Sequence, residues 1–560
     1  MHRDTQRRLD EFRLTRASDH ENELIDELAS GQIDRETFLR QGAMLGLSVG
    51  ALGSVLGAFG LRPELAQAAR SAPTRVGGTL RIAITKPTGS LDPVKVADLG
   101  GLGVTLIPGE QLVFADARSV LRPVLATRWS PNRTGTVWTF TIRQGVRFHS
   151  GKALTPADVV ATFDRLTDPA VASAGASSFK GVLSKGGATA RGNTVVFELD
   201  AATGTFPYLL SQITYQAIIL PADYDGDFGE TFNGTGPYKL GQNRPGQGVT
   251  FVRNAEWWGG NPPLDSVVLT YAEDEQAMVL ALRGGQADLA NQLSYLATRP
   301  LASDANLQVL RVATSNHRQL HMRNDRKPFD DRRVRQAIAL SLNRPGLVRA
   351  LFGNTGEVGN DSPMWPGYSF TDRSVPQRRQ NLARARALLR AAGVRNGTRL
   401  RLSTYRSQEM PDYAQRVQQA LRPLGLNVSL DVQTGAQYFG GKQTTGPGGT
   451  PWLTVPFGIV DYGHRAVPLT FLNASLSRGG VWNAAHYRNA RYDRLVREFS
   501  AAISAGQRKR ISRQIQLLLL QDTPIVFAYF YSYLTGARKT LRGYTPDGLG
   551  VINLRGVSLA

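Results

Sequence analysis

Cysteine is missing from all 560 residues. Its absence excludes disulfides, thiolate metal sites, a cysteine nucleophile and lipid attachment to an N-terminal cysteine. The 7 histidines form no HExxH and no metal-ligand spacing, and no glycine-rich loop follows a strand at dinucleotide spacing. His317 and His321 are four apart, but they lie in what reads as a strand, not a ligating helix. Acidic pairs such as Asp330-Asp331 open a predicted helix, where carboxylates suit the dipole. No catalytic residue, no metal site and no cofactor is therefore expected, and binding is favoured over turnover. Acidic residues are scarce as well: 45 against 66 lysines and arginines, a formal charge of +21. The first 69 residues hold 8 basic and 11 acidic side chains, which leaves +24 on the rest. No basic tract is interleaved with aromatics, so a nucleic-acid partner is not expected. Such a charge fits a protein held near an anionic membrane surface by salt-sensitive attraction.

One uncharged run stands near the start of the chain. From Gln41 to Leu61 there is no charge, and glycine, alanine and leucine dominate. Arg35 and Arg40 precede the run, and Ala66-Gln67-Ala68 follows with the small–x–small spacing a signal peptidase reads. Residues 1–33 thus read as a charged N-terminal extension and 34–69 as a signal peptide. Asp34 to Arg40 resembles a twin-arginine export motif: Arg35, Phe38 and Leu39 fit, while Glu36 occupies the second arginine position. The run is just long enough to span a bilayer at roughly 20 residues, so an uncleaved anchor is the other reading. Either way the protein is expected in the periplasm or at the cell surface. Gly46-Leu47-Ser48-Val49-Gly50 matches a nucleophile motif, but that motif needs a strand before the serine and a helix after it. Here the serine is expected inside an apolar export helix.

The chain is long enough for about three structural units, at roughly 100–200 residues each, and its 41% hydrophobic content and 58 glycines over all 560 residues suit an α/β protein. Alternating, β-branched strands are predicted at 77–84, 137–143, 193–199, 248–254 and 265–273. Residues 274–288 read as a helix with a Gly-Gly stop, and 330–353 as a helical stretch broken at Asn343-Arg344-Pro345. Strand 400–405, helix 411–424 and strand 426–432 form a βαβ unit, which predicts a parallel pair. Helix 507–521 and strand 524–531 follow, and Gly441 to Thr450 is a low-complexity loop.

One stretch, VRFHSGKALTPADVV at 146–160, offers three chemistries. His149 beside Ser150 resembles a base next to a nucleophile. Ser150-Gly151-Lys152 resembles the end of a phosphate loop, but lacks the upstream glycine. The third reading is a strand, a glycine turn and a helix capped by Thr155, with Pro156 in its first turn and Asp158 closing an acidic capping box. The third fits best.

Several blocks in order carry a family resemblance: GGTLRIA from Gly77, Leu91-Asp92-Pro93, LRPVLATRWSPNRTGTVWTFTIRQGVRFHSGKALTPADVV, the Gly236-Pro237-Tyr238 turn, VRNAEWWGGNPPLD, LRGGQADL, MRNDRKPFDDRRVRQAIALSLNR, and NAAHYRNARYDRL at 483–495. The chain resembles the family 5 extracellular solute-binding proteins of ABC transporters, the class of dipeptide-, oligopeptide- and nickel-chelate-binding proteins. The resemblance implies a periplasmic-binding-protein-like α/β fold of two lobes joined by a hinge, with a ligand cleft between them. It places lobe I at 77–115, 205–313 and 527–560, an inserted subdomain at 116–204, and lobe II at 314–526. It implies a monomer that closes around a peptide or peptide-like solute and presents it to permease subunits. A nickel chelate, sugar or opine would suit the same fold, and an exported enzyme or a peptide-holding chaperone is the reading of another class.

The resemblance also points to ligand residues. Asp461, in Phe457 to His464, falls where peptide-binding members place the carboxylate that takes an α-ammonium, with Tyr462 beside it. Phe457 stands where tryptophan is common, and His464-Arg465 where Asp-Pro is frequent. A structural turn role for Asp461 is the other reading. Trp482 and Asn483 follow a Gly-Gly loop and are cleft candidates, Trp482 equally a core aromatic. His464 is a candidate for a carboxylate or chelated metal, or else a surface histidine. Tyr405, with Arg406 after it, ends a predicted parallel strand, where ligands favour binding.

Overall fold

The structure, a computed structural model, describes residues 3–15, 17–61, 76–442, 444 and 449–560. The chain divides into two compact units. The first holds the chain up to Val312 with Ala501–Gln507 and Tyr533–Ala560; the second holds Ala313–Ser500 and Arg508–Ser532.

In the first unit, Thr79–Thr85 is the middle strand of a seven-stranded sheet. It runs parallel to Ser266–Ala272 and to Leu289–Leu293. Its Leu80, Ile82 and Ile84 are buried, as the alternation predicts. The helix Glu275–Arg283 is capped by Asp274 and stops at Gly284-Gly285, with Gly285 in the left-handed region. A separate four-stranded antiparallel sheet spans 126–198, inside the range expected for the insert. Trp129, Phe140, Phe197 and Phe206 pack together over it.

The stretch 146–160 is scaffold. Its expected strand is reduced to one bridge, Arg147 to Ala153, around Gly151 at φ +89°. The capped helix is Pro156–Thr167, and the Asp158 carboxylate accepts from Thr155 N at 2.7 Å and Thr155 Oγ1 at 2.8 Å. Both His149 ring nitrogens face carbonyls, Phe232 O at 3.1 Å and Gly236 O at 3.0 Å. Ser150 N donates to Asn233 Oδ1. His149 thus pins the Asn233–Gly236 turn and is no base for Ser150. Glu110, 1% exposed in its side chain, explains another of the shared blocks. It accepts from Thr235 Oγ1, Trp257 Nε1, Trp258 Nε1 and Arg555 Nη2, which fills its acceptor sites.

The leader departs from expectation. Its uncharged run is not one helix. Arg35–Met44 ends at a turn, and Ser48 caps a second helix, Val49–Ala58. The break is Gly46, at φ +92°. Ser48 is therefore a cap between two helices, not a residue inside one, and still no strand precedes it. No helix among the described residues is long and apolar enough to cross a membrane. The cleavage candidate Ala66-Gln67-Ala68 lies outside the described residues. Nor is the charged extension detached: Leu24, Ile25 and Leu28 of the helix Asp19–Ala29 are buried. Glu27 accepts from Ser504 Oγ at 2.5 Å and Gly506 N at 2.8 Å, while Trp129 Nε1 donates to Met44 O at 2.8 Å. A Cβ on Gly46 would lie 1.9 Å from Trp129 O. Gly46→Ala is accordingly expected to loosen the leader helices, by about 1–2 kcal/mol from the left-handed backbone alone. Faster trypsin cleavage within residues 3–40 would register it, and an unchanged rate would refute it.

In the second unit the sheet order is Gly356–Val358, Ile525–Tyr531, His317–Met322, Phe457–Tyr462, Arg399–Tyr405, Asn427–Gln433. The βαβ unit is present: Arg399–Tyr405 and Asn427–Gln433 pair in parallel, joined through the helix Met410–Leu421. Tyr413, Ala414, Val417 and Leu421 form its buried face. The helical stretch at 330–353 breaks at Asn343 into Arg332–Ser341 and Arg344–Phe352. The lobe boundary at 527 needs correction, because it cuts the strand Ile525–Tyr531. That strand hydrogen-bonds to His317–Met322 over its length, so the chain leaves the second unit only after Ser532. Residues 501–507 likewise belong to the first unit and not to the expected lobe II.

Candidate functional site

A strand's pleat sends successive side chains to opposite faces. In Phe457–Tyr462 that separates Asp461 from Tyr462. Asp461 is the register partner of Arg318, and Tyr462 of His317, on the antiparallel neighbour.

On the first face Tyr405 Oη donates to Asp461 Oδ1. Burial, then the Asp461 charge, holds the Tyr405 phenol well above its ordinary pKa, so it stays a donor. Asp461 Oδ2 lies 3.7 Å from Arg318 Nη1. The Arg318 side chain is 1% exposed, whereas that of Asp461 is 39% exposed. Arg318 is held by Glu409, through Nε at 2.8 Å and Nη2 at 3.1 Å. Nη2 also donates to Gln408 Oε1 and Nη1 to Tyr531 Oη, both at 2.7 Å. Burial opposes the guanidinium charge, but Glu409, Tyr531 and Asp461 outweigh it and raise its pKa. Two carboxylates around one guanidinium leave a net charge of −1. The exposed part of that charge is on Asp461, which suits a cationic group of a ligand.

The other predicted residues fall elsewhere. Tyr462 is buried, stacked on His317 at 5.5 Å between centroids and packed against Trp482 at 5.7 Å. Trp482 is half-buried against the core of the second unit. The Asn483 amide is occupied by its own loop, donating to Ser477 O and Tyr487 O and accepting from Tyr487 N. His464 Nδ1 accepts from Ser315 N at 3.0 Å, and the ring stands edge-on to Trp365. Burial lowers its pKa to about 3, so it is neutral and offers no charge to a carboxylate. Arg406 is exposed and continues the strand pairing through its backbone, N to Gln433 O. Of the six residues, the fold joins Tyr405 to Asp461 by a hydrogen bond and packs Trp482 on Tyr462. Among the described residues no group of acidic and histidine side chains has metal-site geometry.

Sequence reasoning missed Arg318, Glu409, Gln408 and Tyr531. One signal was available: an arginine inside the otherwise strand-like HRQLHM needs a buried counter-charge. A separate cavity of about 1310 Å³ is lined by Phe12, Leu47, Ala51, Val55, Arg128 and Trp129. Most of that lining lies between Leu9 and Gly57, so the cavity depends on the N-terminal helices.

A family model described as bacterial extracellular solute-binding proteins, family 5 middle, matches residues 120–450. A di/tripeptide-binding protein 2 of Pseudomonas aeruginosa is 26% identical over 491 residues, covering 80% of this chain and 88% of that protein. The glutathione-binding protein GsiB of Escherichia coli is 24% identical, covering 82% and 90%. Among solved structures, the periplasmic binding protein DppA of Helicobacter pylori in complex with the peptide STSA superposes with a TM-score of 0.72 at 22% identity, covering 87% of this chain and 98% of that one. NikA of Staphylococcus aureus in complex with Ni(L-His)2 gives 0.69 at 19% identity, covering 86% and 100%.

Proposed function

The chain belongs to the bacterial extracellular solute-binding proteins of family 5, and from that premise we propose that it captures a peptide or peptide-like solute outside the cytoplasmic membrane and delivers it to an ABC permease. Capture proceeds by hinge closure, driven by the ligand's greater affinity for the closed state. The protein turns nothing over: it supplies anchors, not catalysts. It acts as a monomer and is exported by its N-terminal leader. The observation that carries the peptide reading is Asp461. Its half-exposed carboxylate is oriented by Tyr405 and left with an excess negative charge, which matches a ligand α-ammonium. The likeness to a di/tripeptide-binding protein points the same way.

Thermal denaturation with a tryptone peptide mixture, glutathione, a nickel–histidine chelate and a sugar panel tests the class. Peptides are expected to raise the melting temperature, with about 2.7 kcal/mol of stabilisation at a hundredfold excess over Kd. A response to the chelate or sugars alone would sink the peptide reading, and turnover of any of them would sink the non-enzymatic one. Asp461→Ala is expected to weaken capture of free-amine peptides by about ten- to a hundredfold, the worth of a charge-assisted hydrogen bond. It leaves Arg318 paired with Glu409, so its melting temperature without peptide stays near wild type. Unchanged affinity would remove Asp461 from the site.

A further inference from the structure

We propose that Glu409 determines the charge class of the ligand. By cancelling the buried Arg318, it leaves Asp461 available to a cationic group. This rests on the reading of Asp461 as the ammonium anchor. A guanidinium directly behind that carboxylate would, unopposed, turn to it and neutralise it. In the structure it does not. Nε and Nη2 are drawn to Glu409, Nη2 also to Gln408, and Nη1 to Tyr531. Only the long 3.7 Å approach to Asp461 Oδ2 remains.

The restraint on Glu409 is local. It is the residue before the helix Met410–Leu421, where a carboxylate meets the positive end of the dipole. Gln408, the preceding residue, takes a left-handed backbone at φ +44° and turns its amide oxygen to the same guanidinium. Tyr529 Oη adds a donor to Glu409 Oε1 at 3.3 Å. The start of the helix therefore acts as a counter-charge for the strand behind the anchor. With Glu409 neutral, the cluster sums to zero and Arg318 moves onto Asp461, which then no longer attracts an ammonium.

The experiment compares wild type, Glu409→Gln, Glu409→Asp, Asp461→Asn and the double variant Arg318→Met with Glu409→Gln, all in the full chain. The probes are tryptone peptides and the same mixture N-acetylated, titrated by intrinsic tryptophan fluorescence. Melting without peptide reports folding. Glu409→Gln is expected to lose about tenfold in apparent affinity for the free-amine mixture, with acetylated peptides unaffected, because a close pair now consumes the anchor. Glu409→Asp keeps the charge and stays near wild type. The double variant removes both buried charges, which buried pairs commonly tolerate when replaced by similar volume, and it recovers the wild-type affinity. Structural damage alone would not be rescued in this way. If Glu409→Gln fails to fold, the double variant decides, and its failure to bind free-amine peptides overturns the proposal. Wild-type affinity in Glu409→Gln also overturns it when Asp461→Asn is impaired. If Asp461→Asn binds normally, the anchor reading itself has failed.

Discussion

Lowering the pH from about 7.5 to about 5.5 is expected to cost the second unit about 3 kcal/mol of stability, through two buried histidines. His317 and His321 are both fully buried, and burial drops each pKa from 6.5 to about 3. Arg318 and Arg465 push His317 further down, and His486 and Arg323 do the same to His321. The geometry around His317 agrees with a neutral ring: Nδ1 donates to Ser315 O at 2.7 Å, and Gln319 Nε2 donates to Nε2 at 3.1 Å. Phe471, Phe527 and Phe530 enclose it. A neutral base in the folded state that charges once unfolded makes the unfolded chain bind more protons below pH 6.5. Stability therefore falls as the pH drops from 6.5 towards 3, by about 1.4 kcal/mol per unit for each ring. His464 acts in the same direction. Urea midpoints at the two pH values give the measurement. His317→Gln should flatten the dependence, and a pH-independent midpoint would refute the account.

Asp361→Ala is expected to destabilise the same unit by about 3–5 kcal/mol, the effect of leaving a buried charge without its partner. Asp361 is 0% exposed and Arg344 1% exposed. Arg344 Nη2 donates to both Asp361 oxygens, at 2.8 and 2.9 Å, and Arg378 Nε approaches at 3.2 Å. One carboxylate therefore compensates two guanidiniums. Asp361→Asn keeps a hydrogen-bond acceptor and should lose less than alanine. A urea midpoint for Asp361→Ala equal to wild type would show that water reaches the two arginines. Neither arginine belongs to the Asp461 cluster, so peptide affinity measured well below the melting temperature should hold.

Much of the fold was legible locally. Period-two alternation located Thr79–Thr85, Val137–Ile142 and Ser266–Ala272, because one-sided burial writes itself into adjacent residues. The cap at Thr155 and the breaks at Asn343 and Gly284 were readable because capping is settled within four residues. The site was half legible. Tyr405 and Asp461 were each found by a separate line of reasoning, one from a strand end and one from the family pattern, and the fold joins them. Arg318 was not found, since its place beside Asp461 depends on antiparallel register between strands far apart in sequence. Glu409 looks in sequence like an ordinary helix start. The leader misled because charge was counted and backbone was not: a single left-handed glycine, Gly46, divides a run that hydropathy alone treats as continuous.

The position of Tyr533–Arg538 bears on how this protein is made. That strand sits between Leu307–Val312 and Leu289–Leu293, hydrogen-bonded to both. Two strands completed by residue 312 thus wait for a partner that is made only after the second unit, up to Ser532. Such distant pairing slows folding and leaves unpaired strand edges while it is pending. While the second unit is being made, the nascent chain therefore carries an open sheet, a state that chaperones recognise. The arrival of Tyr533–Arg538, rather than the growth of the first unit's earlier strands, is the event that closes it.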